Sequence, residues 1–265
     1  MNQEKNPVSS RQKHQVCGIY ESDQLWSRQS QALATRLGLQ RVHRIPVPGS
    51  VLMFASNGLA LLTTNARGAQ MVVRVDFTTR KWQRRIAVVR QEQLIKAMGR
   101  KPDLTSRIVD ATGGLGRDSF LLAAAGFRVQ VFERNPLLAA LLEDGLLRAE
   151  ESGKTKDICS RISLTCGDAR CFLDRRQQVE IVYLDPLFPE QKKSAKVKKQ
   201  LQVIRKIAGE DNVLDGLLGA AIKTATGRVV VKRPLHGPHL DNQPPSYTLA
   251  GKTVRFDIYL PPLKK

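Results

Sequence analysis

Val109-Asp110-Ala111-Thr112-Gly113-Gly114-Leu115-Gly116-Arg117-Asp118 is the stretch whose reading decides the fold of this chain. The apolar run Arg107 to Ala111 reads as a strand, and Phe120 to Ala125 reads as a helix closed by Gly126. Between them lie Gly113, Gly114 and Gly116. Glycines at a strand-to-helix turn let the backbone approach a ligand and present amide N–H groups at the start of a helix. A glycine loop alone is a weak signal, so its surroundings carry the argument.

Downstream, the pattern alternates. Phe127 to Phe132 is a strand, and Asn135 caps a helix with Pro136 in its first position. Ile162 to Cys166 and Glu180 to Leu184 are strands, Leu214 to Thr224 a helix, and Arg228 to Val231 and Val254 to Leu260 the last strands. Apolar strands separated by helices predict an α/β domain whose parallel sheet is covered on both faces.

In open sheets of this kind, ligands bind at the carboxyl ends of the strands. Those ends carry acids here. Glu133 lies 17 residues past Gly116 at a strand tip, placed to accept the hydroxyl protons of an adenosine ribose. Asp168 ends the next strand and is positioned for the amino group of an adenine. A dinucleotide-binding GxGxxG begun at Gly114 needs glycine at 119, where the chain has Ser119. Tyr183-Leu184-Asp185-Pro186-Leu187-Phe188-Pro189 then sets an acid, a proline and an aromatic at one tip. An exocyclic amine on a nucleobase is conjugated with its ring and is a poor nucleophile. The Asp185 carboxylate and the Pro186 carbonyl would accept its two hydrogens, aim its lone pair at a sulfonium methyl, and leave Phe188 to stack on the base. Orientation and electrostatics supply most of such catalysis, with no metal required.

The rest of the chain bounds the partner. Lys and Arg number 43 against 24 Asp and Glu, a net charge of +19, which predicts a polyanionic partner. Lys192, Lys193, Lys196, Lys198 and Lys199 follow the Asp185 tip directly. Arg80, Lys81, Arg84, Arg85 and Arg90 form a second cluster around Trp82, and Lys232 and Arg233 leave another strand end, placed to hold phosphate. No apolar run reaches the roughly 18 residues of a membrane-spanning helix, and the polar start of the chain is unlike a signal peptide. Cys17, Cys159, Cys166 and Cys171 lack CxxC or Cys/His spacing, so buried thiols in a reducing cytoplasm are expected rather than a metal site. Residues 1–15 read as a flexible tail, 16–100 as a small α+β unit and 101–265 as the α/β domain; a monomer is expected. In the small unit Ser27 to Leu37 reads as a helix closed by Gly38. Val51 to Phe54, Leu59 to Thr63 and Met71 to Phe77 read as strands, joined by turns at Asn57-Gly58 and Asn65 to Gly68, and Gln91 to Met98 reads as a helix closed by Gly99.

Read from residues alone, the target amine stays open: a nucleobase amine in RNA, adenine N6 in DNA, or a protein glutamine. So does a non-catalytic RNA-binding or ribosome-assembly role on the same fold. Val109 to Asp118, Phe132-Glu133-Arg134-Asn135-Pro136, Tyr183 to Pro189, Val229 to Pro234 and Arg255-Phe256-Asp257-Ile258-Tyr259 together resemble the ribosomal RNA small subunit methyltransferase J family. The resemblance runs over roughly residues 17–260 and is dense after 105. It implies a Rossmann-like class I methyltransferase fold with a mostly parallel seven-stranded sheet and the small strand-rich N-terminal unit. It implies S-adenosylmethionine as cofactor, and methylation of guanine N2 in 16S rRNA, on naked RNA or the small ribosomal subunit. Gly113 and Gly116 are cofactor-binding candidates from the glycine loop itself; by the resemblance Arg117 and Asp118 lie at the cofactor, Glu133 and Arg134 at its ribose, Asp168 and Ala169 at its adenine, and Asp185 beside the transferred methyl. The chain departs from the general Asp/Asn-Pro-Pro-aromatic pattern at Leu187, and its basic stretch Arg84 to Arg90 lacks the glycines the family tends to carry there.

Overall fold

A computed structural model describes residues 16–22, 27–99, 107–175, 178–186, 204 and 216–262. Of these, the residues up to Arg74 and Ile204 belong to one compact unit, and the rest, from Val75 on, to a second.

The first unit is a five-stranded sheet in the order β2-β1-β3-β4-β5, formed by β1 (Val16–Glu21), β2 (Arg41–Val42), β3 (Gly49–Ala55), β4 (Gly58–Thr64) and β5 (Gln70–Val73). Helix α1 (Ser27–Leu37) lies between β1 and β2 in the chain, and β1 runs parallel to both β2 and β3, whereas β3, β4 and β5 form an antiparallel meander. Ala55 pairs with Gly58, so the hairpin loop is Ser56-Asn57, one residue before the turn expected from sequence. Ile19, Val51, Leu52, Leu59, Leu61 and Leu62 are buried in its core. The expected strand over Met71 to Phe77 stops pairing at Val73. Val75 and Phe77 continue the apolar alternation, but they are buried in the second unit.

The second unit opens with α2 (Arg80–Ala87), a 3-10 turn at Val89–Gln91 and α3 (Gln93–Ala97). The segment Val75–Gly99, grouped by its sequence with the smaller unit, thus packs with the larger one. Phe77 stacks on Phe120 at 4.0 Å between centroids, and Trp82 meets both rings edge-on at 5.3 and 5.4 Å. Edge-to-face contacts of this kind add to the burial of large rings.

Then the alternation begins: β6 (Arg107–Asp110), α4 (Arg117–Ala125), β7 (Arg128–Glu133), α5 (Pro136–Glu151), α6 (Lys156–Cys159), β8 (Ile162–Cys166), α7 (Arg170–Leu173), β9 (Val179–Leu184), α8 (Leu217–Thr224), β10 (Ala225–Pro234), β11 (Tyr247–Ala250) and β12 (Val254–Tyr259). Asn135 caps α5 as its sequence predicts, accepting from the N–H groups of Leu137 and Leu138 at 3.0 and 3.2 Å, with Pro136 behind it.

The seven strands are ordered β11-β12-β10-β9-β6-β7-β8. Strands β6 to β10 are parallel; β12 runs against β10, and β11 against β12. Alternate strand residues face opposite ways. Val109, Val182, Leu184, Val229 and Val231 pack in one cluster with Leu217, Leu218 and Ala221 of α8. Ile108, Ile181 and Tyr183 alternate with them and are buried too. From β6 the chain winds one way to β7 and β8, and from β9 the other way to β10. The switch point therefore falls between β6 and β9, and in open α/β sheets ligands bind outside the carboxyl ends of the strands at such a point.

Candidate active site

The glycine loop lies at that switch point. Gly113 N–H donates to the Phe132 carbonyl at 2.8 Å, which pulls the loop against the tip of β7. A Cβ on Gly113 would stand 2.5 Å from Val131 Cγ1 and 3.1 Å from that carbonyl, so the approach requires glycine. Gly116, at φ +69, turns the chain into α4 in the left-handed region, with Leu142 where a side chain would go.

Glu133 is 7% exposed and closes the loop from β7. Its two oxygens accept from Gly114 N–H at 2.6 Å and Asn135 N–H at 2.7 Å. Burial pushes its carboxyl above the usual range, and the two amides oppose that shift. An ionised carboxylate offers about four acceptor positions. Two are used internally, which leaves acceptor positions for the hydroxyl groups of a ligand. The tight backbone cradle and this donor set fit a nucleoside-bearing cofactor. Arg117 and Arg134 are exposed.

Asp185 follows the tip of β9. Its N–H donates to Thr112 Oγ1 at 2.6 Å, which ties it to the glycine loop, and Pro186 behind it is buried. Lys232 of β10 donates to Asp185 Oδ2 at 2.8 Å and to Asp118 Oδ2 at 2.5 Å. The Tyr183 hydroxyl donates to the same Asp118 oxygen at 2.6 Å. Loss of solvent pushes Asp185 up to about 6; the Lys232 charge opposes this and the Asp118 charge adds to it. For Asp118, burial raises the pKa, but Lys232 and Tyr183 outweigh it and hold the group below its ordinary value. Burial lowers Lys232, yet two carboxylates outweigh that and raise it. Beneath them Asp110, 2% exposed, accepts from Thr112 N–H at 3.0 Å and from the Ser119 hydroxyl; burial pushes it up to about 7.

Several sequence expectations change here. The strand-end position of Lys232 suggests a phosphate contact; its ammonium instead balances two carboxylates within the site. The same expectation fails for Arg233, which is 3% exposed and donates to the Pro238 carbonyl. Asp168 is forked by Arg170, whose Nε and Nη2 reach Oδ2 at 3.0 and 2.6 Å, so an adenine amine would share a carboxylate already held low by that arginine. Ala169 is buried in the apolar cluster, which leaves only its backbone to a ligand. Arg84 is exposed, whereas Arg85 pairs with Glu92 at 2.6 Å and lies 5.7 Å from the Trp82 ring centre. Trp82 itself packs on Phe77 and Phe120. Cys159 is buried, but Cys17, Cys166 and Cys171 are exposed, because their strand and helix positions face outward. Phe188, Lys192, Lys193, Lys196, Lys198, Lys199 and the tail 1–15 lie outside the described residues. Among the described residues no group of three or more His, Cys, Asp or Glu is placed to hold a metal, and no helix is long and apolar enough to cross a membrane.

Sequence reasoning missed Thr112, Tyr183, Asp110 and Ser119 as parts of one network. The available signal was polar residues set into apolar strand ends, at Asp110 and Tyr183. It also missed the rim beyond β10. Antiparallel β12 brings Arg255 to the same edge, where its Nη1 donates to the carbonyls of Pro234, Leu235 and Gly237 at 3.1, 2.9 and 2.7 Å. Asp257, fully buried, accepts from Arg255, from Thr248 at 2.9 Å and pairs with His239 Nδ1 at 2.7 Å. The Tyr259 hydroxyl donates to the Gln243 carbonyl at 2.9 Å. The loop thus fastened carries Asp241 and Asn242 at positive φ, 52 and 53°.

The sequence model of a family described as "Putative SAM-dependent methyltransferase" matches residues 32–261. A solved SAM-dependent methyltransferase from Neisseria gonorrhoeae superimposes with a TM-score of 0.72 at 34% identity, covering 94% of this chain and 97% of that one. A protein of Thioalkalivibrio sulfidiphilus called ribosomal RNA small subunit methyltransferase J is 40% identical over 247 residues, 91% of this chain and 96% of its own. One of the same name from Cellvibrio japonicus is 42% identical over 219 residues, 79% and 82% of the two chains. With the family model over most of the chain and relatives at about 40% identity across most of both lengths, the chain belongs to the ribosomal RNA small subunit methyltransferase J family of S-adenosylmethionine-dependent enzymes.

Proposed function

We propose that the protein methylates the exocyclic N2 amine of a guanine in 16S rRNA, in the cytoplasm, with S-adenosylmethionine as methyl donor. The observation that carries this reading is Asp185: an ionisable carboxylate at a strand tip, 36% exposed, anchored to the glycine loop through Thr112 and set beside Lys232.

When bound, the cofactor supplies an electrophilic methyl on a sulfonium. The chain does the rest. The Gly113–Gly116 turn and the Glu133 carboxylate hold the nucleoside, with Arg117, Asp118, Arg134, Asp168 and Ala169 around it. Asp185 and the Pro186 carbonyl accept the two amine hydrogens and turn the nitrogen lone pair toward the methyl. Phe188 serves as the stacking surface for the base. A base within a duplex is inaccessible, so the target lies in a loop or is flipped out at a cost of a few kcal/mol. Exposed Arg80, Lys81 and Arg84 on α2, which packs on α4, and the lysines from Lys192 to Lys199 supply phosphate contacts that offset it.

Labelled S-adenosylmethionine with unmodified small subunits, and in parallel with naked rRNA, tests the proposal once the RNA is digested to nucleosides. N2-methylguanosine is the expected product. Label in adenosine, or none in RNA while the cofactor binds, would reassign the amine.

A further inference from the structure

Lys232 is where three parts of the site meet. It leaves β10 at the carboxyl edge and spans from Asp118 at the start of α4 to Asp185 at the tip of β9, at 2.5 and 2.8 Å. Anchoring Asp185 does not by itself call for a cation, because its N–H is already bonded to Thr112 Oγ1 and the following Pro186 is buried. What the ammonium adds is charge. Two carboxylates sharing a confined site cannot both stay ionised unless something compensates them, and one takes up a proton. A protonated Asp185 has a donor where the amine needs an acceptor.

We propose that Lys232 is a positioning residue that keeps Asp185 ionised and aimed during methyl transfer, and that Asp118 is the second carboxylate that holds the lysine in place. This rests on the reading of Asp185 as the group that accepts the amine hydrogens. In the transfer, the amine nitrogen bonds to the methyl carbon as the carbon–sulfur bond breaks, its electron pair staying on sulfur. The nitrogen, now cationic, gives one N–H proton to the Asp185 carboxylate, which passes it to solvent from its exposed side. Lys232 keeps its proton throughout.

Among the described residues, the charged and titratable groups around Asp185 are Lys232 from β10, Asp118 from α4, Tyr183 from β9 and Asp110 from β6, with Arg85 of α2 acting on Asp118. The directions agree: Lys232 lowers Asp185, Asp118 raises it, and Lys232 stays charged between them.

The experiment compares wild type with K232M, K232R and D118N. One readout needs neither RNA nor cofactor: infrared titration of the Asp185 carboxyl, isolated by subtracting the spectrum of each protein's D185N counterpart. The other is the pH profile of kcat. An opposite charge within ~4–6 Å lowers a carboxyl by about 1–3 units. K232M should therefore move the Asp185 midpoint up by about that much from about 6, and transfer at pH 7 should fall about two- to a hundredfold and recover at alkaline pH. K232R should restore the wild-type midpoint. D118N should move the midpoint down, since it removes a like charge while its amide oxygen still accepts from Tyr183. A rise in K232M together with a fall in D118N supports the proposal, and the reverse pair overturns it. An unshifted midpoint in either variant, or shifts of one sign in both, overturns it. Should K232M fail to fold, the sign of the D118N shift decides. Should no RNA be methylated, that result bears on the proposed function, while the infrared titration still decides the role of Lys232.

Discussion

Arg255 and Asp257 stand two residues apart on β12 and are joined by two hydrogen bonds, Nε to Oδ1 at 2.8 Å and Nη2 to Oδ2 at 3.1 Å. Residues so spaced share a strand face. The pair is buried, and the arginine's third nitrogen holds the rim loop by its carbonyls. Removing one partner strands the other, at about 3–5 kcal/mol. Arg255→Ala should lose roughly that much in denaturant unfolding. Asp257 is buried, which raises its pKa, but Arg255, His239 and Thr248 outweigh this and hold it below its ordinary value. Its contribution is therefore present above about pH 4 and lost as pH falls further. Asp257→Asn should flatten that acid limb of the stability curve.

Glu133→Ala removes a carboxylate that orders two amides and, on the proposed reading, holds the ribose. Hydrogen bonds to charged groups contribute about 1.5–3 kcal/mol each. Calorimetry should show S-adenosylmethionine and S-adenosylhomocysteine weakened alike by about ten- to a hundredfold, because the ribose is common to both. Selective loss of one of them would place Glu133 elsewhere.

Asp185 should govern the pH profile of turnover. With its carboxyl raised to about 6, the accepting form grows in through that pH, so kcat climbs between pH 5 and 7 and then levels. The apparent value belongs to the coupled Asp118–Lys232–Asp185 group. Asp185→Asn should cost at least ~10²-fold in kcat, with cofactor binding retained.

Asp110 gives the opposite kind of signal, read in stability. Its folded pKa, about 7, lies above the unfolded one. Any stability tied to the protonated form is complete below about pH 4 and drains away as pH rises through 7. Ser119 lowers that pKa by donating to the ionised form. Ser119→Ala should therefore be more destabilising at pH 8 than at pH 5, and equal losses at the two pH values would show that Asp110 does not titrate between them.

On α2, Arg84 is exposed, whereas Arg85 is paired with Glu92. Arg84→Ala should weaken RNA binding at low salt and reduce the slope of log K against log salt by ~0.7–0.9 if it meets one phosphate. Arg85→Ala should change the slope less and stability more, through lost packing on Trp82.

The α/β half was legible because its signals are local. Apolar strands, the glycine loop, the Asn135-Pro136 cap and the acids at strand tips each announce themselves within a few residues. The Lys232 ion pairs were not, since they join residues separated by 114 and 47 positions and depend on strand order. Helix α2 reads as a charge cluster because it buries no residue and carries few apolar positions. Strand β1 is short and broken by Gly18, and β11 is largely exposed. The end of β5 misleads because Val73, Val75 and Phe77 keep a strand's alternation while the last two enter another core.

The chain has two tryptophans, Trp26 and Trp82, and Trp26 lies outside the described residues. Trp82 rests edge-on against Phe120 of α4, two residues beyond Asp118, the carboxylate that holds Lys232. In a Trp26→Phe background, the indole of Trp82 is a single fluorophore packed on the helix that starts at the glycine loop, with the Arg85 guanidinium 5.7 Å from its ring centre. Any ligand that shifts the start of α4 changes the surroundings of that fluorophore, so the protein carries an optical gauge of its own site, readable without label or radioisotope.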